Sequence, residues 1–534
     1  MISAKDKLDV NISSNANLII GQGVFLYVTF ESANPINVVS TKLKFTGASP
    51  NITVPQGDVS LTVDPKDKTK ATYQTLLTVA NENIKENDPI KFTLEATQSN
   101  AEKFPFTGTA RTVNQDSLTL IFNNNFIRTP NITSPQALEK AKVSTTLIGQ
   151  GEPQTPLSNV PVFITADPIS DFSSCTFEDD NGKPLSLQTM GNYTGLFINS
   201  GKDGSVSFNM SPQKATSMVL NIKSWIIFIG EEFVHAFSPL FIINPDIPKF
   251  PNSLLPPNIQ GGFSGLLTSD AGASDFRIAI PVYPGNNSGD YILFLTKNLS
   301  KAGAKREYTD HYVVVGNPRT ELGDSNYVYT LPYDIFDYGT PFDINYVVIL
   351  GQSAGSLTSQ PASVTYMGGA TYQPDSGIKR EYDKCKVYTS YGVTGPEIHE
   401  GSVIGYDSIK EYFDNKPVDP NQKKTGLFIE IMGGSLQGQV FFGSKVTLNM
   451  YIQAKNRNNK KIFVTQIMPS KADKYTGHLS LVFHIDIDKI TGILPYDGGG
   501  AGYIWFDYQV GAKSYGEIWS GKIDTRPDAP TTKD

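Results

Sequence analysis

The sequence predicts an all-β protein made of about four β-sandwiches in tandem. Apolar and polar residues alternate in the clearest segments, for example residues 445–450 and 479–485, and a period of two is typical of a half-buried strand. Helix signals are short and confined to residues 134–140 and 407–413. Turns rich in Gly, Pro, Asn and Asp separate the strands, so the crossover helices of a parallel sheet are missing and antiparallel sandwiches are favoured.

The number of sandwiches follows from the chain length and from a repeated pattern. At roughly 100 to 200 residues per domain, 534 residues correspond to three or four domains. Four segments each contain two apolar strands joined by a turn of small residues and followed by a polar or proline-rich stretch. Their spacing matches one sandwich plus insertions. These segments are residues 90–113, 219–243, 346–366 and 503–524.

The domain boundaries are predicted where composition changes. The clearest boundary lies near residue 246, because Pro245, Pro248 and Pro251 remove backbone donors and favour an extended spacer. The polar end of the chain is expected to be a disordered tail. The predicted domains are residues 1–114, 115–245, 246–375 and 376–525, with a tail at 526–534.

Charge and cysteine content exclude several classes of protein. The chain has 45 basic and 52 acidic residues and a net charge of -7. The densest basic stretch, residues 455–461, is short, so a nucleic-acid partner is not expected. Cys175 and Cys385 fall in different predicted domains, which excludes a disulfide scaffold.

Targeting signals are weak. Residues 1–9 lack the apolar run of a Sec signal peptide, so we expect either a leader that has been removed or a leaderless route of export. No run of about 18 apolar residues occurs, so no membrane span is expected.

The strongest enzymatic candidate is Ser353, in the sequence Gly351-Gln-Ser-Ala-Gly355 after an apolar strand. This segment resembles the nucleophile elbow of α/β-hydrolases of the carboxylesterase type. The elbow needs a helix directly after the serine, but residues 356–361 are poor helix formers ending in Pro361. We therefore expect a hairpin turn, and a serine esterase remains a remote alternative.

Metal and nucleotide sites have little support. His484, Asp486 and Asp488 alternate on one face of a predicted strand, but a solvated outer face has the same pattern. The acidic turn at residues 178–182 lacks EF-hand spacing. The sequence has no P-loop, and residues 21–23 lead into a strand rather than a helix. The sequence predicts no metal and no cofactor.

The candidate ligand-binding residues lie near the carboxyl end. A glycine-rich loop at residues 497–502 leads into an aromatic strand, and more aromatics follow the next turn. If they share an exposed face, they form a platform for a sugar ring or for a partner's apolar surface. The alternative is packing in a sandwich core. The residues are Tyr503, Trp505, Tyr515 and Trp519.

One predicted domain resembles a known family. Residues 155–166 and 201–208 are similar to the "PLxxVPVxFxA" and "TDxxGxAxxxL" strands of bacterial immunoglobulin-like domains of the invasin and intimin type. The resemblance covers residues 115–245, and Asn159 replaces the family's Gly. The other three domains resemble the family in strand order and length. The resemblance implies tandem immunoglobulin-like β-sandwiches that serve as rigid stalks and receptor-binding tips on bacterial surfaces.

The sequence therefore favours a non-enzymatic bacterial adhesion or host-surface binding protein, built as a rod of immunoglobulin-like domains. The expected partner is a host or cell-surface protein or glycan, or copies of the chain itself. The alternative is a structural subunit of a fibre, particle or inclusion. The expected location is extracellular or at the cell surface, with a cytoplasmic location as the alternative.

Overall fold

The computed structural model describes residues 5–130, 139–151, 154–213, 215–230, 233–351, 355–411 and 425–527. Strands make up most of the regular structure in these ranges. Internal contacts divide the chain into two compact units. The first unit is Met1–Asn125, Lys140–Gln213 and Leu220–Leu240, and the second is Phe126–Glu139, Lys214–Val219 and Phe241–Asp534.

The first sandwich lies in the first unit and packs two sheets face to face. Its strands are β1 (Lys7–Val10), β2 (Asn17–Ile19), β3 (Gly23–Glu31), β4 (Lys42–Thr46), β5 (Ile52–Thr53), β6 (Asp58–Ser60), β7 (Thr62–Val63), β8 (Lys70–Val79), β9 (Pro89–Ala96) and β10 (Phe104–Arg111). One sheet has the order β1-β3-β8-β5 with β7 on β8, and the other has the order β2-β10-β9-β4-β6. Alternate residues of β3, including Leu26, Val28 and Phe30, are buried in the core, as the period of two predicts.

The second group of strands follows a 3-10 helix at Gln115–Leu118. Its elements are β11 (Ile121–Phe122), β12 (Phe126–Arg128), β13 (Ala141–Thr146), β14 (Pro161–Asp167), α1 (Ile169–Phe172), β15 (Cys175–Glu178), β16 (Pro184–Leu185), β17 (Gln188–Met190), β18 (Tyr193–Asn199), β19 (Ser205–Pro212), β20 (Met218–Trp225), β21 (Val234–His235) and β22 (Leu240–Ile243). In the first unit, β11-β13-β19-β15-β16 form one sheet, and β14 pairs with β18 and β20 in another. In the second unit, β12 and β22 form a parallel pair.

Asn159 lies just before β14 and has a left-handed backbone, with φ of 56°. Its N–H donates to the carbonyl of Ser200 at 2.8 Å. Gly and Asn are the residues that adopt this conformation at least cost. The replacement of the family's Gly by Asn159 therefore preserves the turn that leads into β14.

The third sandwich lies in the second unit. Its elements are β23 (Asn258–Ile259), β24 (Leu266–Leu267), β25 (Asp275–Ala279), β26 (Tyr291–Asn298), β27 (Glu307–Val314), α2 (Pro318–Glu321), β28 (Tyr329–Pro332), a 3-10 helix at Tyr333–Ile335, β29 (Pro341–Ile349), β30 (Ser356–Thr358) and β31 (Ala362–Tyr366). One sheet is β23-β25-β28, and the other is β24-β31-β29-β26-β27 with β30 on β29. Tyr283, Phe294 and Tyr346 are among its fully buried residues.

The fourth sandwich also lies in the second unit. Its elements are β32 (Arg380–Tyr382), β33 (Lys386–Tyr388), β34 (Glu397–Ile398), β35 (Val403–Gly405), α3 (Tyr406–Ile409), β36 (Gly426–Met432), β37 (Lys445–Gln453), β38 (Asn458–Ile462), β39 (Gln466–Ile467), β40 (Ser480–Asp486), α4 (Ile487–Ile490), β41 (Gly502–Val510), β42 (Ser514–Gly516) and β43 (Trp519–Asp524). One sheet contains β38-β37-β41-β42-β32 with β43 on β41, and the other is β34-β33-β36-β40.

Two strand pairings recur four times among the described strands. A short early strand runs parallel to the last strand in the pairs β2–β10, β12–β22, β24–β31 and β35–β43. Another early strand runs antiparallel to a strand of the other sheet in the pairs β1–β3, β11–β13, β23–β25 and β33–β36. The predicted fold class, all-β with tandem immunoglobulin-like β-sandwiches, is confirmed.

The boundaries at residues 114, 245 and 375 remain predictions. In the described residues, each falls where no strand is present, in the intervals after β10, β22 and β31. Of the two predicted helices, residues 134–138 of the first, predicted at 134–140, lie outside the described ranges, and residues 139 and 140 belong to no helix. The second is reduced to α3, which ends at Ile409, and Phe413 lies outside the described ranges.

Neighbouring sandwiches are joined by direct contacts within each unit. In the first unit, the Gly23 N–H donates to the Ile227 carbonyl at 2.8 Å, and the ring of Phe25 stacks on Phe197 at 5.0 Å. A Cβ at Gly23 would lie 2.7 Å from the Ile227 side chain, so this position requires glycine. In the second unit, Phe241 of β22 packs against Tyr312 of β27 at 4.9 Å between ring centroids.

Candidate functional site

Side chains along strand β41 alternate between the core and the outer face of the sheet, and two of the candidate aromatic residues lie on the outer face. Ile504, Phe506 and Tyr508 point into the core of the fourth sandwich. Tyr503 and Trp505 alternate with them and therefore lie on the opposite, outer face of the sheet. The outer face of β41 is the surface on which a ligand platform was predicted.

Tyr503 and Trp505 form the centre of this outer face. Tyr503 is 47% exposed, and its ring stacks on Trp505 with 5.7 Å between centroids and 18° between planes. In the strand register, Tyr503 lies between Gln453 of β37 and Lys522 of β43. An exposed tyrosine ring stacked on a half-buried tryptophan, with an amide and an ammonium group beside it, is suited to binding an apolar surface that carries polar groups.

Tyr515 lies on the same side of the sheet. It pairs with Gln509, which alternates with Asp507, Trp505 and Tyr503 along β41. Burial raises the pKa of Tyr451 above its usual range, and the neighbouring Asp507 and Tyr515 add to this effect. The side chain of Tyr515 therefore lies close to this outer face, and it is half-buried.

Trp519 does not share this face, which corrects the predicted set of four residues. It is only 4% exposed, and it pairs with Phe506 in the strand register. The two rings pack in the core at 5.6 Å. Tyr515 and Trp519 would share a face on one continuous strand, but β42 ends at Gly516 and β43 begins at Trp519. The break changes the face that Trp519 presents.

Asp507 lies on the same face of β41 as Tyr503 and Trp505, and it forms a buried ion pair there. Arg380 Nη2 is 2.9 Å from Asp507 Oδ2, and their side chains are 7% and 2% exposed. Asn449 Nδ2 donates to the other carboxylate oxygen at 2.9 Å. Arg380 also donates to the carbonyls of Gly516 at 2.5 Å and Asp375 at 3.1 Å. The pair thus fixes β41, β42 and the segment before β32 relative to one another.

The sequence analysis missed this pair. Asp507 interrupts the aromatic run from Tyr503 to Tyr508, and an acidic residue within such a strand is the only signal that could have indicated it. A charged side chain is rarely buried without a partner. The partner, Arg380, is 127 positions away, so the pattern alone could not identify it.

Only part of the aromatic face is open. Tyr451, which pairs with Trp505 in the register, is 5% exposed and belongs to the core of the third sandwich. Trp505 packs against the same core. Gln373 Nε2 donates to Gln453 Oε1 at 3.0 Å beside them. The third sandwich therefore covers Tyr451 and part of Trp505, whereas Tyr503 remains exposed.

A second group of exposed aromatic residues occurs in the first unit and was not predicted. Trp225 packs against Phe233 at 5.0 Å, and Tyr193 packs against the same ring at 5.3 Å. Phe228 is 53% exposed and has a left-handed backbone, with φ of 67°. The only signal in the sequence was the apolar stretch that begins at Trp225.

Ser353 lies outside the described residues. The strands on either side of it, β29 and β30, pair in antiparallel fashion, with Ile349 opposite Ser356. Residues Ser356–Thr358 form a strand, whereas a nucleophile elbow continues as a helix. The flanking geometry is that of the predicted hairpin.

The other predicted chemical candidates are part of ordinary structure. Strand β40 ends at Asp486, whose side chain accepts the Asp488 N–H at 3.1 Å and begins α4, so Asp488 is not on the strand face of His484. Within the described ranges, no group of three or more His, Cys, Asp or Glu residues is placed to hold a metal ion. Both cysteines are buried, and burial raises the pKa of the Cys175 thiol to about 12.

Comparisons with known proteins give no family assignment from sequence. No family model matches the chain, and no curated protein matches it. Within the described residues, no helix is long and apolar enough to cross a membrane.

The chain is similar to several solved structures, among them adhesin domains. The D00-D0 domain of intimin is 11% identical, covers 44% of this chain and 100% of its own, and has a TM-score of 0.16. The Yersinia pseudotuberculosis adhesin InvE is 11% identical, with coverage of 49% and 70% and a TM-score of 0.18. Invasin, described as a bacterial integrin-binding protein, is 9% identical, with coverage of 98% and 80% and a TM-score of 0.17.

Intimin and invasin, which are among the structures similar to this chain, are also the proteins whose domains residues 155–166 and 201–208 resemble.

Proposed function

We propose that this chain is a non-enzymatic bacterial adhesion protein that binds a host or cell-surface protein or glycan. The binding surface is the outer face of the fourth sandwich, centred on Tyr503 and Trp505. The observation that carries the proposal is the exposed ring of Tyr503 stacked on the half-buried Trp505, with the Arg380–Asp507 ion pair next to Trp505 on the same face. The role places the chain at the cell surface or outside the cell.

The aromatic face has the properties of a preorganised binding surface. Tyr and Trp supply large contact areas with few rotatable bonds, so little conformational entropy is lost on binding. The Arg380–Asp507 ion pair beside them fixes β41 relative to β42 and to the segment before β32. Gln453 and Lys522 beside Tyr503 offer hydrogen-bond groups to the rim of a ligand. Aromatic residues with a polar rim are typical of binding hot spots.

The remaining sandwiches suit a supporting role. Their joints combine backbone hydrogen bonds, as between Gly23 and Ile227, with buried rings such as Phe241. Contacts of this kind restrict the motion of one sandwich against its neighbour within each unit. Such joints support a role for these sandwiches in presenting the fourth one rather than in catalysis.

The proposal predicts that Tyr503→Ala weakens binding of the full chain to cultured epithelial cells by about tenfold or more, the loss expected of a hot-spot aromatic. The measurement is a titration with fluorescently labelled protein read by flow cytometry. The matched control is Tyr338→Ala in the third sandwich, because Tyr338 is 46% exposed and Tyr503 is 47% exposed.

The Tyr338→Ala variant is expected to bind like the wild type. Equal affinities for the wild type and the Tyr503→Ala variant would contradict the assignment of the face. Circular dichroism of both variants verifies that the comparison is made between folded proteins.

A further inference from the structure

An exposed lysine lies beside the aromatic pair of the fourth sandwich. Lys522 of β43 is opposite Tyr503 of β41 in the strand register, so both side chains lie on the outer face of the sheet. Lys522 is exposed, and in the described ranges its ammonium group has no carboxylate within 4 Å. A positive charge without a partner therefore lies next to the exposed ring of Tyr503.

The carboxylates on and beside this face do not compensate that charge. Ser520 and Asp524 alternate with Lys522 along β43 and so lie on the same face, and the Ser520 hydroxyl donates to Glu400 at 3.0 Å. Three carboxylates there are already paired with other cations. The pairs are Asp507–Arg380 at 2.9 Å, Asp524–Arg526 at 2.7 Å and Glu400–Lys384 at 2.6 Å. Lys522 is therefore available to a negatively charged ligand, although the net charge of the whole chain is -7.

The groups around Tyr503 form a row across neighbouring strands. Lys522 lies on one side of Tyr503 and Gln453 on the other, so their strands are about 10 Å apart. Gln453 Oε1 accepts from Gln373 Nε2 at 3.0 Å, which leaves Gln453 Nε2 as a donor for a ligand. Val403 lies beyond Lys522 in the register and is 53% exposed. The row thus has an aromatic ring at its centre, a cation on one side and an amide donor on the other.

These groups fit a sugar that carries an acid. The C–H face of a pyranose ring packs on an aromatic ring, a carboxylate or sulfate accepts charge-assisted hydrogen bonds from an ammonium group, and a sugar hydroxyl accepts from an amide. A stable protein interface takes about 20–30 residues on each side. Because the third sandwich covers Tyr451 and part of Trp505, the open row suits one or two sugar rings better than a protein interface.

We propose that the outer face of the fourth sandwich binds an acidic glycan, with a sugar ring packed on Tyr503, its carboxylate or sulfate on Lys522 and a hydroxyl on Gln453. This inference rests on the proposed function and names the class of ligand that the face takes. Lys522 selects the acidic sugar over its neutral counterpart, whereas Tyr503 contributes to the binding of both.

Titration of the full chain with three sugars, followed by ligand-observed NMR, tests the proposal. The probes are sialyllactose, sulfated lactose and lactose, which present a carboxylate, a sulfate and neither group. At least one acidic probe is expected to bind about tenfold or more tightly than lactose, since hydrogen bonds to charged groups contribute more than neutral ones. The acidic probe that binds more tightly identifies the anionic group. Its advantage over lactose is expected to shrink at about 0.5 M salt, because exposed charges are screened.

Lys522→Ala is expected to lower the affinity for the acidic probe to that for lactose, and Lys522→Arg is expected to retain it. The matched control is Lys513→Ala, because Lys513 is also exposed and lies in the turn between β41 and β42. This control is expected to bind like the wild type, whereas Tyr503→Ala is expected to lose affinity for all three sugars. Equal affinities of the wild type for lactose and both acidic probes, or equal losses in Lys522→Ala and Lys513→Ala, would overturn the proposal.

The outcomes separate this inference from the proposed function. If no sugar binds while Tyr503→Ala still weakens cell binding, the acidic glycan is rejected and the binding role of the face is kept. Binding of an oligoglutamate peptide that requires both Tyr503 and Lys522, without binding of any sugar, would show that the partner is an acidic protein. Sugar binding that depends on Lys522, together with unchanged cell binding of the Tyr503→Ala variant, would keep the glycan site and reject the proposed role in adhesion.

Discussion

Asp507→Ala is expected to lower the free energy of unfolding of the fourth sandwich by about 3–5 kcal/mol, because it leaves a buried guanidinium without its partner. Arg380 would keep its bonds to the carbonyls of Gly516 and Asp375 but lose the only carboxylate that it contacts within 4 Å in the described ranges. Asn449 would also lose its acceptor. The measurement is urea denaturation followed by the fluorescence of Trp519, which lies in this core.

The matched control for this prediction is Glu381→Ala, which removes the exposed partner of Lys379 near the same strand. Its unfolding midpoint is expected to match that of the wild type, because exposed ion pairs contribute little. The double variant Arg380→Met with Asp507→Leu is expected to recover part of the loss, since it buries no unpaired charge. Equal midpoints for Asp507→Ala and Glu381→Ala would show that the ion pair does not stabilise the face.

Phe241→Ala is the second substitution with a large expected effect. The Phe241 side chain is fully buried, and its ring packs against Tyr291, Tyr308 and Tyr312 at 6.2, 5.7 and 4.9 Å. Deleting a buried aromatic ring leaves a cavity and costs about 3–5 kcal/mol. We expect the free energy of unfolding to fall by this amount in the transition that includes the third sandwich. The measurement is urea denaturation followed by far-ultraviolet circular dichroism.

The control is Phe263→Ala, the same change at a ring that is 86% exposed. It is expected to shift the free energy of unfolding by less than about 0.5 kcal/mol, as exposed positions generally do. A similar small shift for Phe241→Ala would mean that the rings around Phe241 do not form a stabilising joint.

The strands of this protein were predictable because burial of one face imposes a period of two. Strands β37 and β40 lie where alternation was recognised in the sequence. Strands pair in three of the predicted closing segments, as β9 with β10, β29 with β31 and β41 with β43, and the short strands β30 and β42 lie within the last two.

The joints were not predicted, although the sequence carried a signal for them. Residues 291–295 and 346–350 are continuously apolar. In an antiparallel sheet, an apolar run of this kind indicates that both faces are covered. The structure shows that Leu293 and Val347 pack with Phe241 on the outer face of the third sandwich. The partner surface comes from a distant part of the sequence, so only the folded structure shows which residues form the contact.

The candidate site was predictable only in part. The aromatic content of β41 and its alternation identified Tyr503 and Trp505, and the register with β41 placed Tyr515 beside them. The face of Trp519 depends on the break between β42 and β43, which no turn signal in the sequence specified. The Arg380–Asp507 pair joins residues 127 positions apart, and a periodic pattern does not encode such a contact.

The central claim is that this chain acts by surface contact and not by making or breaking bonds. It is tested most directly by a saturation binding isotherm on live cultured epithelial cells for the wild type and the Ser353→Ala variant. The account predicts saturable binding with the same affinity for both proteins, and no turnover of a chromogenic ester by the wild type. Binding that does not saturate, or ester turnover that the wild type shows and the Ser353→Ala variant lacks, would contradict it.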